Sequence, residues 1–271
     1  MIVTSSGRTV GRAVFVLMMG IALAAHGQTQ DTVAWPLCCT PNVELGDRLR
    51  AAALQDLPFS EVSGAVPRSA GCYSAFATTY LPPAGTQPPE PDFDAISNGD
   101  DREQARSNYS NAFLAWTCRY APDKARDGDT TTAWVEGAEG HGIGAVLVVP
   151  YDRPGSGVRI WAGYGKSAAL FRANGRPKDI RVHVIAVGNV FANAYDSMYA
   201  SGADGAYTDL TVVGAHASTL RDHNGYQRLP LPQGEYDQAG TYLIAIELLS
   251  VYPGTRYEDT CITEVRGRTE G

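Results

Sequence analysis

From Gly144 onward, apolar and polar positions alternate in short runs that stop at turn residues. Ala145 to Val149 is one apolar run, closed by Pro150. Val158, Ile160 and Ala162 alternate with polar or bulky neighbours up to Gly163. Ile180, Val182 and Val184 form one face against Arg181 and His183 on the other, and Tyr242, Ile244, Ile246 and Leu248 repeat the pattern before Pro253-Gly254. In a strand successive side chains point to opposite faces, so a period of two between turn signals predicts half-buried strands in an antiparallel sandwich or barrel. The 29 glycines and 16 prolines supply the many tight turns such a fold needs.

Three stretches break this rhythm. Asn42 is placed to cap a short helix whose Leu45, Leu49 and Ala52 share a face, ending near Pro58. Leu81 to Pro91 is proline-rich and reads as an exposed loop. After Asp100-Asp101, the residues Ala105, Tyr109, Ala112, Phe113 and Trp116 recur at steps of one helical turn, which predicts an amphipathic helix packed on the sandwich. No internal repeat is present.

The N-terminus changes the picture of where the protein works. Arg8 and Arg12 precede an apolar stretch from Ala13 to Ala25, and small residues follow at Ala25-His26-Gly27. That order predicts a signal peptide, residues 1–27, cleaved before Gln28. Cleavage removes two of the 22 basic residues and none of the 29 acidic ones, so the mature chain is more acidic than the full chain's net −7. Such a surface repels phosphate backbones and anionic lipid, which argues against nucleic acid and membrane surfaces as partners. No later stretch is apolar for long enough to cross a bilayer. All five cysteines (Cys38, Cys39, Cys72, Cys118, Cys261) lie in the mature chain. Export makes disulfides the expectation, with one thiol left over and the pairing open.

Candidate chemistry concentrates in Ala125-Arg126-Asp127-Gly128-Asp129-Thr130-Thr131-Thr132-Ala133-Trp134. Two carboxylates flanking a glycine, with the Thr132 oxygen nearby, offer hard oxygen donors of the kind calcium takes. A solvated Asp-Gly-Asp turn accounts for the same composition. An EF-hand loop is excluded, because the position that requires glutamate falls on Ala138 or Gly140. The run from Glu136 to Ala145 contains G-x-G-x-x-A at Gly140, Gly142 and Ala145. A strand follows it rather than a helix, so no helix N-terminus would face a phosphate, and an acidic, mobile surface loop is the better reading. The mature chain's histidines (His141, His183, His216, His223) form no metalloprotease or nucleophile-elbow motif. Nothing points to an enzyme, although paired loop carboxylates of a hydrolase would leave no readable spacing.

The residues then resemble a family. Asp127-Gly128-Asp129 with Thr132-Ala133-Trp134 is similar to the D-G-D-x-x-T-x-W segment of F5/8 type C (discoidin-like) domains. Trp134-Val135-Glu136-Gly137, Gly163-Tyr164 with Lys166-Ser167, and Phe171, Asn174, Arg176, Pro177 and Lys178 resemble the branch attached to NAD glycohydrolases as a translocation domain. So does Val251-Tyr252-Pro253-Gly254 followed by Asp259-Thr260-Cys261-Ile262-Thr263-Glu264-Val265, and Ala77 to Pro83 looks like that branch's opening strand. The resemblance covers 72–267. It implies an all-β, antiparallel jelly-roll β-sandwich of galactose-binding-like type, with a short helical N-terminal extension (28–71), a partly helical insertion (84–117) and a C-terminal tail (268–271).

It further implies a structural Ca2+ held by Ala125 and Thr263 through their carbonyls and by Asp127, Asp129, Thr132 and Glu264. Ligand contacts are expected from Glu136, Glu139, Tyr164, Lys166, Asn174 and Arg176, whose planar hydrogen-bonding groups and aromatic face suit a sugar or surface ligand. Related domains bridge their first and last strands, which points to Cys261 paired with Cys118 or Cys72. The sequence departs from the family at Ala162, where asparagine is expected, and in the insertion. The stretch from Gln28 to Gly71 is short of a domain's usual minimum of about 50 residues, so no NAD glycohydrolase catalytic domain is expected. The implied function is a secreted or periplasmic, non-catalytic recognition module for a glycan or a cell-surface or envelope ligand. The alternatives are an accessory or structural subunit that docks a protein partner through 84–117, and, third, a hydrolase.

Overall fold

The alternating runs pair into two antiparallel sheets that enclose one core. A computed structural model describes residues 66–67, 75–152, 154–196, 201–234, 236 and 240–267. The helix expected after Asn42, the signal segment, and Cys38, Cys39 and Cys72 lie outside the described residues. The strands are β1 (Val66–Pro67), β2 (Phe76–Ala77), β3 (Trp134–Val135), β4 (Val146–Asp152), β5 (Val158–Ala162), β6 (Arg176–Pro177), β7 (Asp179–Asp196), β8 (Ser201–Thr219), β9 (Gln227–Leu229), β10 (Thr241–Leu248), β11 (Val251–Tyr252) and β12 (Cys261–Gly267). Among the described residues two α-helices accompany them, α1 (Gly99–Thr117) and α2 (Ala168–Ala173). A six-stranded sheet runs β1-β8-β7-β10-β4-β2, a four-stranded sheet runs β3-β12-β5-β9, and β6 pairs with β11 as a separate ribbon.

The inner faces meet as the alternation predicts. Val158, Ile160 and Ala162 of β5 and Ile262 and Val265 of β12 pack against Leu147 and Val149 of β4, Ile180 and Val182 of β7, and Ile244, Ile246 and Leu248 of β10. Trp134 lies fully buried among them, its indole N–H donating to the Thr79 carbonyl at 3.0 Å.

The large sheet is buried on its other face too, which single alternation does not anticipate. Phe76, Val146, Val148, Tyr207, Leu210, Leu243 and Ala245 form a second apolar cluster there. Ile185, on the same side of β7 as His183, joins this second cluster, while Ile180 and Val182 on the opposite side stay in the first; the ladder to β8 shifts register between Val184 and Ile185. The polar side of β7 is therefore not a solvated side. His183 is fully buried against Glu247, with 3.5 Å between its Nε2 and the carboxylate, and Arg181 donates to the same oxygen at 3.0 Å. The hydrogen bond from His183, with the Arg181 charge adding to it, holds Glu247 below the usual carboxylate range.

The predicted helix forms as α1, and Asn98 starts it by accepting from the N–H groups of Asp100 and Asp101. Its stripe does not enter the core, because Thr117 is the helix's one buried residue. Instead Tyr109, Phe113 and Trp116 stack along the helix at ring-centroid spacings of 5.9 and 5.8 Å, and Phe93 meets Tyr109 at 6.2 Å.

Candidate ligand and cation site

The candidate residues come from three chain segments, and each is tied to the start of β12. The first is the acidic loop. Pro122–Ala125 forms a short 3-10 turn. The Arg126 guanidinium donates to the Val265 carbonyl at 3.2 Å and lies over the Tyr151 ring, which fixes the loop against β12. Gly128 takes a left-handed φ of 77°, a conformation glycine adopts without a side-chain clash, and its N–H reaches a Glu264 carboxylate oxygen at 3.0 Å.

Thr132 Oγ1 lies 3.0 and 2.9 Å from the two carboxylate oxygens of Asp127 and 2.9 Å from the Asp129 carbonyl oxygen. The Asp129 carboxylate turns instead to Thr131, accepting from its hydroxyl at 2.7 Å and its N–H at 2.8 Å, and these bonds lower its pKa. The Lys124 ammonium stands between Asp123 and Asp127, at 3.0 and 3.6 Å. Ala125 and Thr263 are both fully buried, Thr263 immediately before Glu264.

Glu264 carries the strain of this arrangement. It is 2 % exposed, and desolvation pushes its pKa up to about 7; the nearby Asp127 charge adds to the rise, while the Gly128 N–H and the charges of Arg266 and Arg126 oppose it. A buried carboxylate facing a second carboxylate, ringed by hydroxyl and carbonyl oxygens, has the chemistry of a hard-cation site. Among the described residues no three His, Cys, Asp or Glu side chains gather closely enough to hold a metal by themselves. A cation here would need the carbonyl oxygens as well.

The second segment, Glu136 to Gly144, is a surface loop only in part, with Ala138, Glu139 and Ile143 exposed and its first acid turned inward. Glu136 is fully buried, and its two oxygens accept from the backbone N–H groups of Ala138 at 2.8 Å and Thr260 at 3.1 Å. Desolvation raises its pKa to about 7 against those two bonds, with Asp259 adding to the rise and His141 opposing it. Gly142, at φ 65°, packs so closely on this carboxylate that a Cβ would stand 2.1 Å from Glu136 Cδ. The glycines of this run shape a turn around a buried acid. Thr260 closes it from the other side, its hydroxyl donating to the His141 carbonyl at 2.9 Å. Glu139, at the tip, is exposed.

The third segment runs from Gly163 to Arg176. The Thr263 hydroxyl donates to the Gly163 carbonyl and accepts from the Gly165 N–H, both at 2.6 Å, so the segment is sewn to β12 next to Glu264. Lys166 is exposed and close enough to Asp129 to help lower its pKa. Tyr164 is half-buried beside Tyr120 and Leu81, over Ala133, Val135 and Cys261. Asn174 ends α2, donating to the Leu170 carbonyl at 2.9 Å.

Arg176 is 8 % exposed. It donates to both Asp222 carboxylate oxygens at 3.1 and 2.9 Å and to the carbonyls of Asn174 and Pro253 at 2.9 and 2.8 Å, and it lies over the Phe171 ring. Of the six expected contact residues, then, Glu139, Lys166 and part of Tyr164 face solvent, whereas Glu136, Asn174 and Arg176 hold the loops in shape. Asp222, Lys124 and Thr260 were not among the expected residues. Asp222 acts across 46 positions of chain, and no local pattern marks it.

Cys261 departs from the expected bridge to Cys118 or Cys72. Cys261 is a free, fully buried thiol, raised well above its ordinary pKa by desolvation. Cys118 is disulfide-bonded. Cys261 lies opposite Val135 in the β12–β3 pairing, where its side chain packs with Ala133 and Val135.

An antiparallel sandwich with its loops drawn together at the last strand is the architecture of an F5/8 type C domain. The chain belongs to the family of NAD glycohydrolase translocation F5/8 type C domains, whose model matches residues 102–267. The match begins within α1. The matched domain is a translocation domain and not a catalytic one, and such a domain fits a secreted protein. Among the described residues no helix is long and apolar enough to cross a membrane. No curated protein matches the chain.

Proposed function

We propose that the protein is an exported, non-catalytic recognition module that binds a glycan or a cell-surface or envelope ligand at the loops around the start of β12. The observation that supports this reading is the tying of three loops to one strand. Bonds from Gly128, Thr260 and Gly165 converge on Glu264, Glu136 and Thr263. Loops so braced present Glu139, Lys166 and Tyr164 on a pre-formed surface, which lowers the ordering cost of binding. A structural calcium is part of the proposal. Asp127, Thr132 and Glu264 would hold it with the carbonyls of Ala125 and Thr263, and Asp129 would join through its carboxylate only by releasing Thr131. Bound there, the ion would supply positive charge between two carboxylates and no reaction chemistry. A glycan array probed with residues 28–271, in calcium and in chelator, tests the reading. Binding to a defined glycan set, weakened in Glu139→Ala and Lys166→Ala, is expected. An empty array in both conditions overturns the glycan form of the proposal.

A second reading is favoured by α1. Its Tyr109, Phe113 and Trp116 ladder is half-buried on a helix with one buried residue, a surface that suits an apolar partner. In this reading the protein is an accessory subunit, and deletion of 84–117 abolishes capture of a co-exported protein while leaving glycan binding intact.

A further inference from the structure

The outer face of the four-stranded sheet carries a charge pattern opposite to that of the chain. Strand register sets Arg159 of β5 opposite Arg228 of β9 on one side and Arg266 of β12 on the other. Three guanidiniums thus stand in one cross-strand row, an arrangement of like charges that disfavours pairing by itself. Beside the row opens a cavity of about 600 Å³, lined by Arg159, Arg221, Arg228, Tyr226, Gln227 and the turn at Gly155 and Gly157. No acidic residue is among the described residues that line it, although the chain carries net −7.

The cavity is built rather than incidental. Gln227, 7 % exposed, clamps Arg221 by accepting from its N–H at 2.9 Å and donating to its carbonyl at 3.0 Å. The Arg159 and Arg266 guanidiniums both lie over the Tyr226 ring, 5.1 and 5.7 Å from its centroid, and its hydroxyl accepts from Arg266 at 3.2 Å. Trp161 braces the ring edge-on at 5.2 Å, and its indole N–H is held by Asn224 at 3.0 Å. These contacts hold the Arg159 and Arg266 guanidiniums on the Tyr226 ring and the Arg221 backbone on Gln227, at the edge of the opening.

We infer that this cavity is a binding site for an oxyanion group, a carboxylate, sulfate or phosphate, borne by a ligand or free in solution. Guanidinium forks match planar and tetrahedral oxyanions with paired hydrogen bonds, and three arginines, Arg159, Arg221 and Arg228, line this one opening, Arg159 also donating to the Gly267 carbonyl at 3.4 Å. The site is lined by none of the residues proposed above to contact a ligand and does not rest on that reading. The full-length exported protein, titrated calorimetrically at low salt with inorganic phosphate and separately with a sulfated disaccharide, decides it. One-to-one binding of at least one probe is expected. It should weaken about tenfold for each of Arg221→Gln and Arg228→Gln, as the loss of one charge-assisted bond implies, and remain unchanged in Arg172→Gln. Equal binding of both probes assigns the site to a free oxyanion, and binding of the disaccharide alone assigns it to an acidic saccharide. Absence of binding to either probe, or binding that the Arg221→Gln, Arg228→Gln double variant retains with its melting curve intact, overturns the inference. Neither result would touch the glycan reading of the β12 loops.

Discussion

Glu136 shows how one buried side chain can shape the behaviour of a whole loop. Its carboxylate is shut from water under Gly142, and its pKa of about 7 stands above the ordinary 4.5 because desolvation outweighs the two N–H bonds it accepts. In the pH window between those values the folded state keeps its proton while the unfolded chain has lost it. Stability attributable to this group is therefore full below about pH 4.5, falls as pH rises, and levels off above about 7. The wild type should lose roughly 2 to 3 kcal/mol more than Glu136→Gln across that window, since each tenfold gain in proton affinity on folding is worth about 1.4 kcal/mol. Urea titrations of both proteins at intervals from pH 4.5 to 8 measure the difference. Glu264, raised by the same cause, titrates in both and cancels. Parallel curves would show that Glu136 is not held protonated. At this scale the sequence was least legible. Motif spacing singled out Glu136, Asn174 and Arg176 as ligand contacts, and all three are buried in the fold. Whether an arginine reaches outward or is locked onto an aspartate 46 residues away depends on a partner that spacing does not reveal.

Strands whose two faces differ were readable, and strands buried on both faces were read by halves. In β5 the alternating pattern matches its burial, with Val158, Ile160 and Ala162 buried and Arg159 and Trp161 partly exposed. That Arg159 would stand beside Arg228 and Arg266 was not readable, because the register of β9 and β12 depends on pairings far apart in sequence. In β10 the residues from Tyr242 to Leu248 are all buried, and the alternation seen in the sequence captured one face of two. Leu243→Ala, on the outer cluster, and Ile244→Ala, in the inner core, should therefore each cost about 2 to 5 kcal/mol, measured as a fall in urea midpoint at constant slope. A cost below about 1 kcal/mol for Leu243→Ala alone would mean that the outer cluster contributes little to packing. The long β7–β8 hairpin left a weak trace. Beyond Ala186 the ladder pairs β7 with β8 and no longer with β10. Its sequence from Ala192 to Ala206 is rich in Ala, Gly, Ser and Asp, which gives no alternation to read. α1 was legible as a helix from its step pattern and cap. Its seat was not, because an aromatic stripe stacked on itself and on Phe93 has the same spacing as one buried in a core.

At the scale of the whole molecule, the opening of the matched motif and the final strand meet at one point, and the calcium proposal turns on what balances the charge there. Asp127 and Thr132 come from the acidic loop, and Glu264 lies 136 positions from Gly128, whose N–H it accepts. Without a cation, that meeting leaves a carboxylate buried at 2 % exposure and pushed up to about 7, beside a second acid that Lys124 reaches at 3.6 Å. A divalent ion bound by the folded chain alone would relieve this repulsion and join the two distant segments. At 100 times its dissociation constant it would add about 2.7 kcal/mol of stability. For a domain of this size that corresponds to a melting temperature several degrees higher in calcium than in chelator. Asp127→Asn and Glu264→Gln should each remove the response, because each deletes a charge from the pair. Asp129→Asn separates two forms of the site: it leaves the response intact if Asp129 contributes its carbonyl, and abolishes it if the carboxylate leaves Thr131 for the ion. Wild-type protein that melts identically in millimolar calcium and in chelator, and carries no metal by elemental analysis, would refute the cation proposal. Glu264 would then be a protonated acid near neutral pH, held by the Gly128 N–H, and the Asp-Gly-Asp segment a turn fastened to β12 by hydrogen bonds alone.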